Sequence, residues 1–261
     1  HARPVFCPPL LVQTRTACEH RRHTPGSLLR RPRNLSSTKI AMTLSRCSAF
    51  YLALFVACPL WAADPAPTKE QLDLAAEIHQ SGMLFDGHND LPWQIRKLAG
   101  GSLDAMDITR NQPRLHTDFP KLKKSGLKAQ YWSVYVPVET MDTGDALLRT
   151  MEQIDLSREM FRRYPEVFAV AGNSSDIDAI AKTGKIASVL GVEGGYSIEN
   201  SLSNLSRFYD QGVRYMTLTH TRTTDWADSS ADQPRHGGLS PFGEEVVAEM
   251  NRLGMLVDLS H

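Results

Sequence analysis

Five side chains in this sequence have the types and settings of metal ligands. In "LFDGHNDLPWQ", residues 84–94, an apolar pair runs into His88 and Asp90. Side chains alternate along a strand, so this imidazole and this carboxylate point the same way. Glu193 closes the apolar run of "IASVLGVEGG", His220 closes "VRYMTLTH", and His261 closes "MLVDLSH". Each has an ordinary role available by itself: Asp90 caps a turn, the histidines are hydrogen-bonded structural residues, and Glu193 is a solvated acid on a Gly-rich turn. Together, at the ends of four hydrophobic runs, they point to one metal centre. Its donors are oxygen and imidazole nitrogen, which suit Zn²⁺, Mn²⁺, Co²⁺ or Fe²⁺. The glycines around Glu193 predict that a metal or substrate approaches the backbone closely there. His79, His116 and His236 lie in a helix and two polar loops and are assigned no function.

The rest of the sequence narrows the chemistry. Cys7, Cys18, Cys47 and Cys58 all precede residue 63, so the remainder can hold neither a disulfide nor a thiolate metal site. It has no Gly-x-Ser-x-Gly elbow, no phosphate loop, no His-Glu-x-x-His helix and no Gly-x-Gly-x-x-Gly fingerprint. Charge is divided as sharply as cysteine. Nine of the 29 Lys/Arg and one of the 29 Asp/Glu lie before residue 64, leaving 20 basic and 28 acidic residues after it, a net of −8. That acidic body argues against nucleic acid as a partner.

The elements that must position these residues alternate. "TKEQLDLAAEIHQSG" has helical spacing and stops at Gly82, and "MLFDGH" predicts a short buried strand. "AQYWSVYVPV" (129–138) predicts a second strand, followed by an amphipathic helix over 145–165 that ends at Pro165 and a shorter one in "DIDAIAKTGK". "IASVLGVEGG" (186–195), apolar throughout, predicts a strand buried on both faces. A helix in "SLSNLSRFYDQG", a strand over 213–220, a helix in "PFGEEVVAEMNRLG" and a strand over 255–261 complete the series. Such alternation predicts parallel βαβ units, which a doubly wound sheet and a (β/α)8 barrel both satisfy. The barrel is preferred, because it converges the carboxyl ends of all its strands on one mouth.

Residues 1–63 are set apart from the fold. Residues 1–41, rich in Arg, Pro and Ser and without helical or strand period, are read as a non-native or disordered leader. Residues 42–63, "MTLSRCSAFYLALFVACPLWAA", read as a secretory signal peptide cleaved near Ala62 or Ala63, so the body (64–261) is expected to be exported, periplasmic or secreted. "FVAC", ending at Cys58, offers a lipid-anchor alternative.

Several of these segments, "FDGHNDLPWQ", "QYWSVYVP", "GVEGGYSIENSL", "YMTLTHTRTTDWADS" and "GLSPFGEEVVAEMNRLGMLVDLSH", resemble the membrane (renal) dipeptidase family of amidohydrolase-type metallopeptidases, in order and over about residues 70–261. The resemblance implies a (β/α)8 TIM-type barrel, here about five of eight βα units, with two Zn²⁺ ions and dipeptide hydrolysis by a metal-bridging hydroxide. It implies His88 and Asp90 as ligands of one zinc, Glu193 as the bridging carboxylate, and His261 as a ligand of the other. It implies His220 as the residue that contacts substrate and steadies the tetrahedral intermediate, and Trp93 and Tyr135 as pocket walls. Homodimers are a further implication. A further zinc histidine, an arginine for the substrate carboxylate and a late acid would lie beyond residue 261, so the resemblance implies a truncated piece that is inactive by itself. Missing cysteines, at Val138 or Arg222 for example, imply a bacterial-type member. Two alternatives are a non-catalytic fragment that binds at most one metal, and a different barrel amidohydrolase acting on cyclic amides or esters. The latter commonly shows His-x-His where this sequence has His-x-Asp.

Overall fold

The computed structural model describes residues 65–261. The leader, the signal peptide and the Cys58 anchor lie outside the described residues. Six parallel strands, β1 (Phe85–Asn89), β2 (Ala129–Tyr135), β3 (Phe168–Val170), β4 (Ile186–Glu193), β5 (Val213–Thr217) and β6 (Leu256–Asp258), form one sheet. Its order is β1-β2-β4-β5-β6, with β3 also on β4. β3 pairs with the first residues of β4 and β5 with the last, so the two share its second edge in succession. Along the main path the strands keep their chain order, with β3 set aside on the edge of β4. A doubly wound sheet would reverse its order partway. This sheet never does, and the fold is an incomplete TIM-type barrel built from the five expected strands and the short β3.

The described residues also form eight α-helices: α1 (Lys69–Ser81), α2 (Leu91–Ala99), α3 (Phe119–Ser125), α4 (Thr140–Thr143), α5 (Ala146–Arg163), α6 (Ser174–Ala181), α7 (Leu202–Asp210) and α8 (Pro241–Leu253). α5 buries Ala146, Thr150, Gln153, Ile154, Ser157, Met160 and Phe161, a stripe of helical period. It stops at Tyr164, whose successor Pro165 disfavours helical backbone in the residue before it. α8 begins at Ser240, whose hydroxyl accepts from the Gly243 amide, with Pro241 in the first turn. It ends on Gly254 at φ 79°.

β4 is buried along its whole length, as its apolar run predicts. Its alternate residues Leu190 and Val192 join Trp132 and Val134 in the core against the helices. The others, Ala187 and Val189, form a separate cluster with Ala129, Tyr131, and Ile177 and Ile180 of α6. Trp132, Phe168 and Phe208 are among the largest fully buried side chains. Each such burial stabilises the fold by about 1.5–3 kcal/mol.

Three expectations need correction. β1 is exposed along most of its length, because it is an edge strand paired only with β2; Phe85 stacks on Tyr131 at 5.3 Å yet stays 39% exposed. The strands expected over 129–138, 213–220 and 255–261 end at Tyr135, Thr217 and Asp258, where backbone groups turn to other partners. β3, α2, α3 and α4 have no counterpart in the sequence reading; β3, α3 and α4 are too short for a periodic signal to stand out.

Candidate metal centre

One rung of the sheet organises the site. Tyr135, Glu193, Thr217 and Asp258 are register partners across β2, β4, β5 and β6. His220 and His261 each lie three residues beyond their strand's member of that rung. The equal offset carries both rings to one place, with centroids 4.4 Å apart. The two following turns are tied together as well. The Ser229 hydroxyl, in the loop after β5, donates to the carbonyl of His220 at 2.5 Å, and the Ser230 amide donates to that of His261 at 2.7 Å. Thr217 donates to Asp258 at 2.6 Å, and Asp258 in turn accepts from the Ser260 amide at 3.1 Å, which shapes the approach to His261.

Glu193, the last residue of β4 and only 7% exposed, stands at the centre. Its Oε2 is 3.4 Å from His88 Nε2 and accepts from the Ser133 hydroxyl at 3.2 Å. Its Oε1 is 3.1 Å from His261 Nε2 and 3.7 Å from His220 Nε2. Asp90 Oδ1 lies 3.4 Å from His88 Nε2. The described residues therefore hold two donor groups, His88–Asp90–Glu193 and Glu193–His220–His261, which share one carboxylate. All five expected ligand or catalytic residues meet here. His220 enters the second group as closely as a ligand would, so distance alone does not separate its role from that of His261.

The ordinary roles fail at these positions. Asp90 occupies the N-cap position of α2, but its side chain makes no capping hydrogen bond. Its Oδ1 is buried and takes no hydrogen bond from any described residue, and His220 Nδ1 is likewise buried without a partner. A buried carboxylate oxygen left in that state is costly. A divalent cation would satisfy it, and the oxygen and imidazole donor set fits one.

The electrostatics follow from this crowding. Asp90 and then Glu193 hold the His88 imidazole up at about 10. Burial pushes the Glu193 carboxyl up, but His88 outweighs it and the group sits below its ordinary range. His88 holds Asp90 below its range as well. Burial pushes His220 down.

The two aromatic residues expected as pocket walls lie beside His220. Trp93 meets Tyr135 edge-on at 5.1 Å, and Tyr135 lies 5.1 Å from the His220 ring. An open cavity of about 730 Å³ runs between β1 and β6, lined by His88, Glu193, Tyr215, Asp258 and His261 among others.

The glycines flanking Glu193 have a different purpose from the one expected. A Cβ on Gly195 would meet the Trp226 ring at 2.4 Å and the Leu218 carbonyl at 2.5 Å, and one on Gly194 would meet Tyr196 at 2.4 Å. They admit neighbouring protein and leave no gap for a ligand. Two residues beside the centre, Ser133 and Tyr215, escaped the sequence reading. Strand alternation could have found Ser133, two residues before Tyr135 on the same face.

Among the described residues, none of the other histidines belongs to either donor group. His79 lies on exposed α1, His116 is exposed, and His236 contacts the Thr224 carbonyl at 3.1 Å.

The family model "Membrane dipeptidase (Peptidase family M19)" matches residues 72–261. The chain is 45% identical over 204 residues to mouse Dipeptidase 3, covering 76% of this chain and 39% of that protein. It is 38% identical over 202 residues to Dipeptidase verJ of Clonostachys rogersoniana, covering 74% and 52%. The chain thus spans between about two fifths and half of the length of these relatives. In fold it is similar to the crystal structure of the probable dipeptidase PvdM from Pseudomonas aeruginosa, with TM-score 0.64, 24% identity, and coverage of 73% of this chain and 49% of that one. A metallo peptidase from Rhodobacter sphaeroides, liganded with a phosphinate mimic of the dipeptide L-Ala-D-Ala, aligns with TM-score 0.58, 22% identity, and coverage of 69% and 58%.

Proposed function

We propose, from the premise that this chain belongs to the membrane dipeptidase family, peptidase family M19, that its residues serve the metal-dependent hydrolysis of dipeptides. One observation carries the reading: the buried Glu193 turns one oxygen toward His88 and the other toward His220 and His261. A carboxylate placed so could hold two cations. Borderline N/O donor sets suit Zn²⁺, and we assign zinc to both positions.

His88, Asp90 and Glu193 would hold one ion, and Glu193 and His261 the other. When bound, such a pair lowers the pKa of a shared water and polarises a carbonyl. The chain's own residues do the rest. Ser133 fixes the Glu193 carboxylate by donating to Oε2. His220 directs Nε2 to the centre and serves as a hydrogen-bond donor to the oxygen that gains charge when a peptide carbonyl is attacked. Trp93 and Tyr135 form an aromatic wall beside His220, which limits the space for the substrate's side chain. The signal-peptide pattern of residues 42–63 supports an exported location, testable by fractionation of expressing cells.

The reading is tested with the metal-loaded chain and a phosphinate dipeptide analogue. Saturable binding that dipeptides compete away, and that disappears in chelator, supports it. A chain that takes up metal and binds neither analogue nor dipeptide refutes it.

A further inference from the structure

We propose that Tyr215 is the positioning residue for His88, setting which ring nitrogen faces the metal; this rests on the metal reading above. The Tyr215 hydroxyl lies 3.0 Å from His88 Nδ1. The other ring nitrogen, Nε2, is 3.4 Å from both Asp90 Oδ1 and Glu193 Oε2. For Nε2 to offer its lone pair to a cation, Nδ1 must carry the proton and donate it. Tyr215 Oη is placed to accept that hydrogen bond.

The contact is built into the sheet. His88 stands on β1, an exposed edge strand, where little packing holds its ring. Tyr215 stands on β5, with β2 and β4 lying between. Its ring spans that distance because Gly191 on β4 has no side chain. A Cβ there would fall 2.0 Å from Tyr215 Cε1 and 2.1 Å from Cζ. Tyr131 of β2 meets the same ring at 4.9 Å, and Tyr215 is 5% exposed. A buried and clamped phenol therefore holds an imidazole that its own strand leaves free. A partner of this kind is worth about 10–100-fold in metal affinity.

The experiment compares the full chain with Tyr215→Phe and Tyr131→Phe, titrating Zn²⁺ against a chromophoric chelator and recording the visible spectrum of the Co²⁺-loaded proteins. Phe keeps the buried ring, so both variants are expected to fold, which thermal melting checks. Tyr215→Phe is expected to weaken one of two ions by about 10–100-fold and alter the Co²⁺ bands, with Tyr131→Phe like wild type. Wild-type affinity and spectrum in Tyr215→Phe overturn the inference and leave the metal reading intact, as does a change in melting temperature alone. Equal weakening in Tyr131→Phe also overturns it, by making the effect one of packing. A wild-type chain that takes up no metal overturns both.

Discussion

Replacing Gly191 by alanine should destabilise this protein, against the general rule for a strand glycine. Its φ is not in the left-handed region. An alanine there would ordinarily gain about 0.4–1 kcal/mol by restricting the unfolded chain. The new Cβ, however, would sit 2.0 Å from the Tyr215 ring, where 3.4 Å is ordinary contact, so the ring must retreat by about 1.4 Å. The ring has no room for that, being 5% exposed with Tyr131 against it. Overpacking of this kind costs about 1–3 kcal/mol. The retreat also carries the hydroxyl away from His88, losing a hydrogen bond worth about 0.5–1.5 kcal/mol, at the low end because His88 is exposed. The net is a loss of about 1–3 kcal/mol. For a domain of this size each kcal/mol lowers the melting temperature by about 2–4 °C, so the midpoint should fall by about 2–12 °C. Thermal melting followed by circular dichroism measures it. A midpoint equal to or above wild type would show that the ring has freedom the structure denies it, and the coupling of Gly191 to Tyr215 would be refuted.

The shared carboxylate makes a stoichiometric prediction: Glu193→Gln should lose both ions, whereas Asp90→Asn should lose one, as read by metal analysis after gel filtration. Ser229→Ala should cost about 0.5–1.5 kcal/mol by leaving the part-buried His220 carbonyl without its donor, seen as a lower denaturant midpoint. Asp228 answers to pH. Burial pushes its carboxyl up, but backbone N–H groups of Arg235, His236 and Gly238 outweigh that and bring it down to about 2. Its folded value is below the unfolded one, so its stabilisation is complete above the ordinary carboxylate range and disappears as pH falls toward about 2. Asp228→Asn should flatten the pH dependence of stability in that window and leave it unchanged near pH 7, measured by urea melts at each pH.

Hydrophobic patterning made much of this protein legible in one dimension. β4 reads as a doubly buried strand because nearly every residue from Ile186 to Val192 is apolar or small. α5 and α8 read as helices because their period, caps and stops coincide. The five residues of the centre stood out because acids and imidazoles seldom close apolar runs without a polar task to perform there. Periodicity, by contrast, carries no information about what lies across a sheet. The sequence could not show that Thr217 and Asp258 share a rung with Glu193, so that two histidines three residues further on arrive side by side. It could not show that β1 is an exposed edge, since the same apolar run serves an edge or a centre. Nor could it show that Gly191 is empty for the sake of a tyrosine 24 residues later, or that Gly194 and Gly195 admit Tyr196 and Trp226. Residue types and their local order are set by the chain itself, whereas register and close approach arise only when separate strands pair and their side chains compete for the same volume.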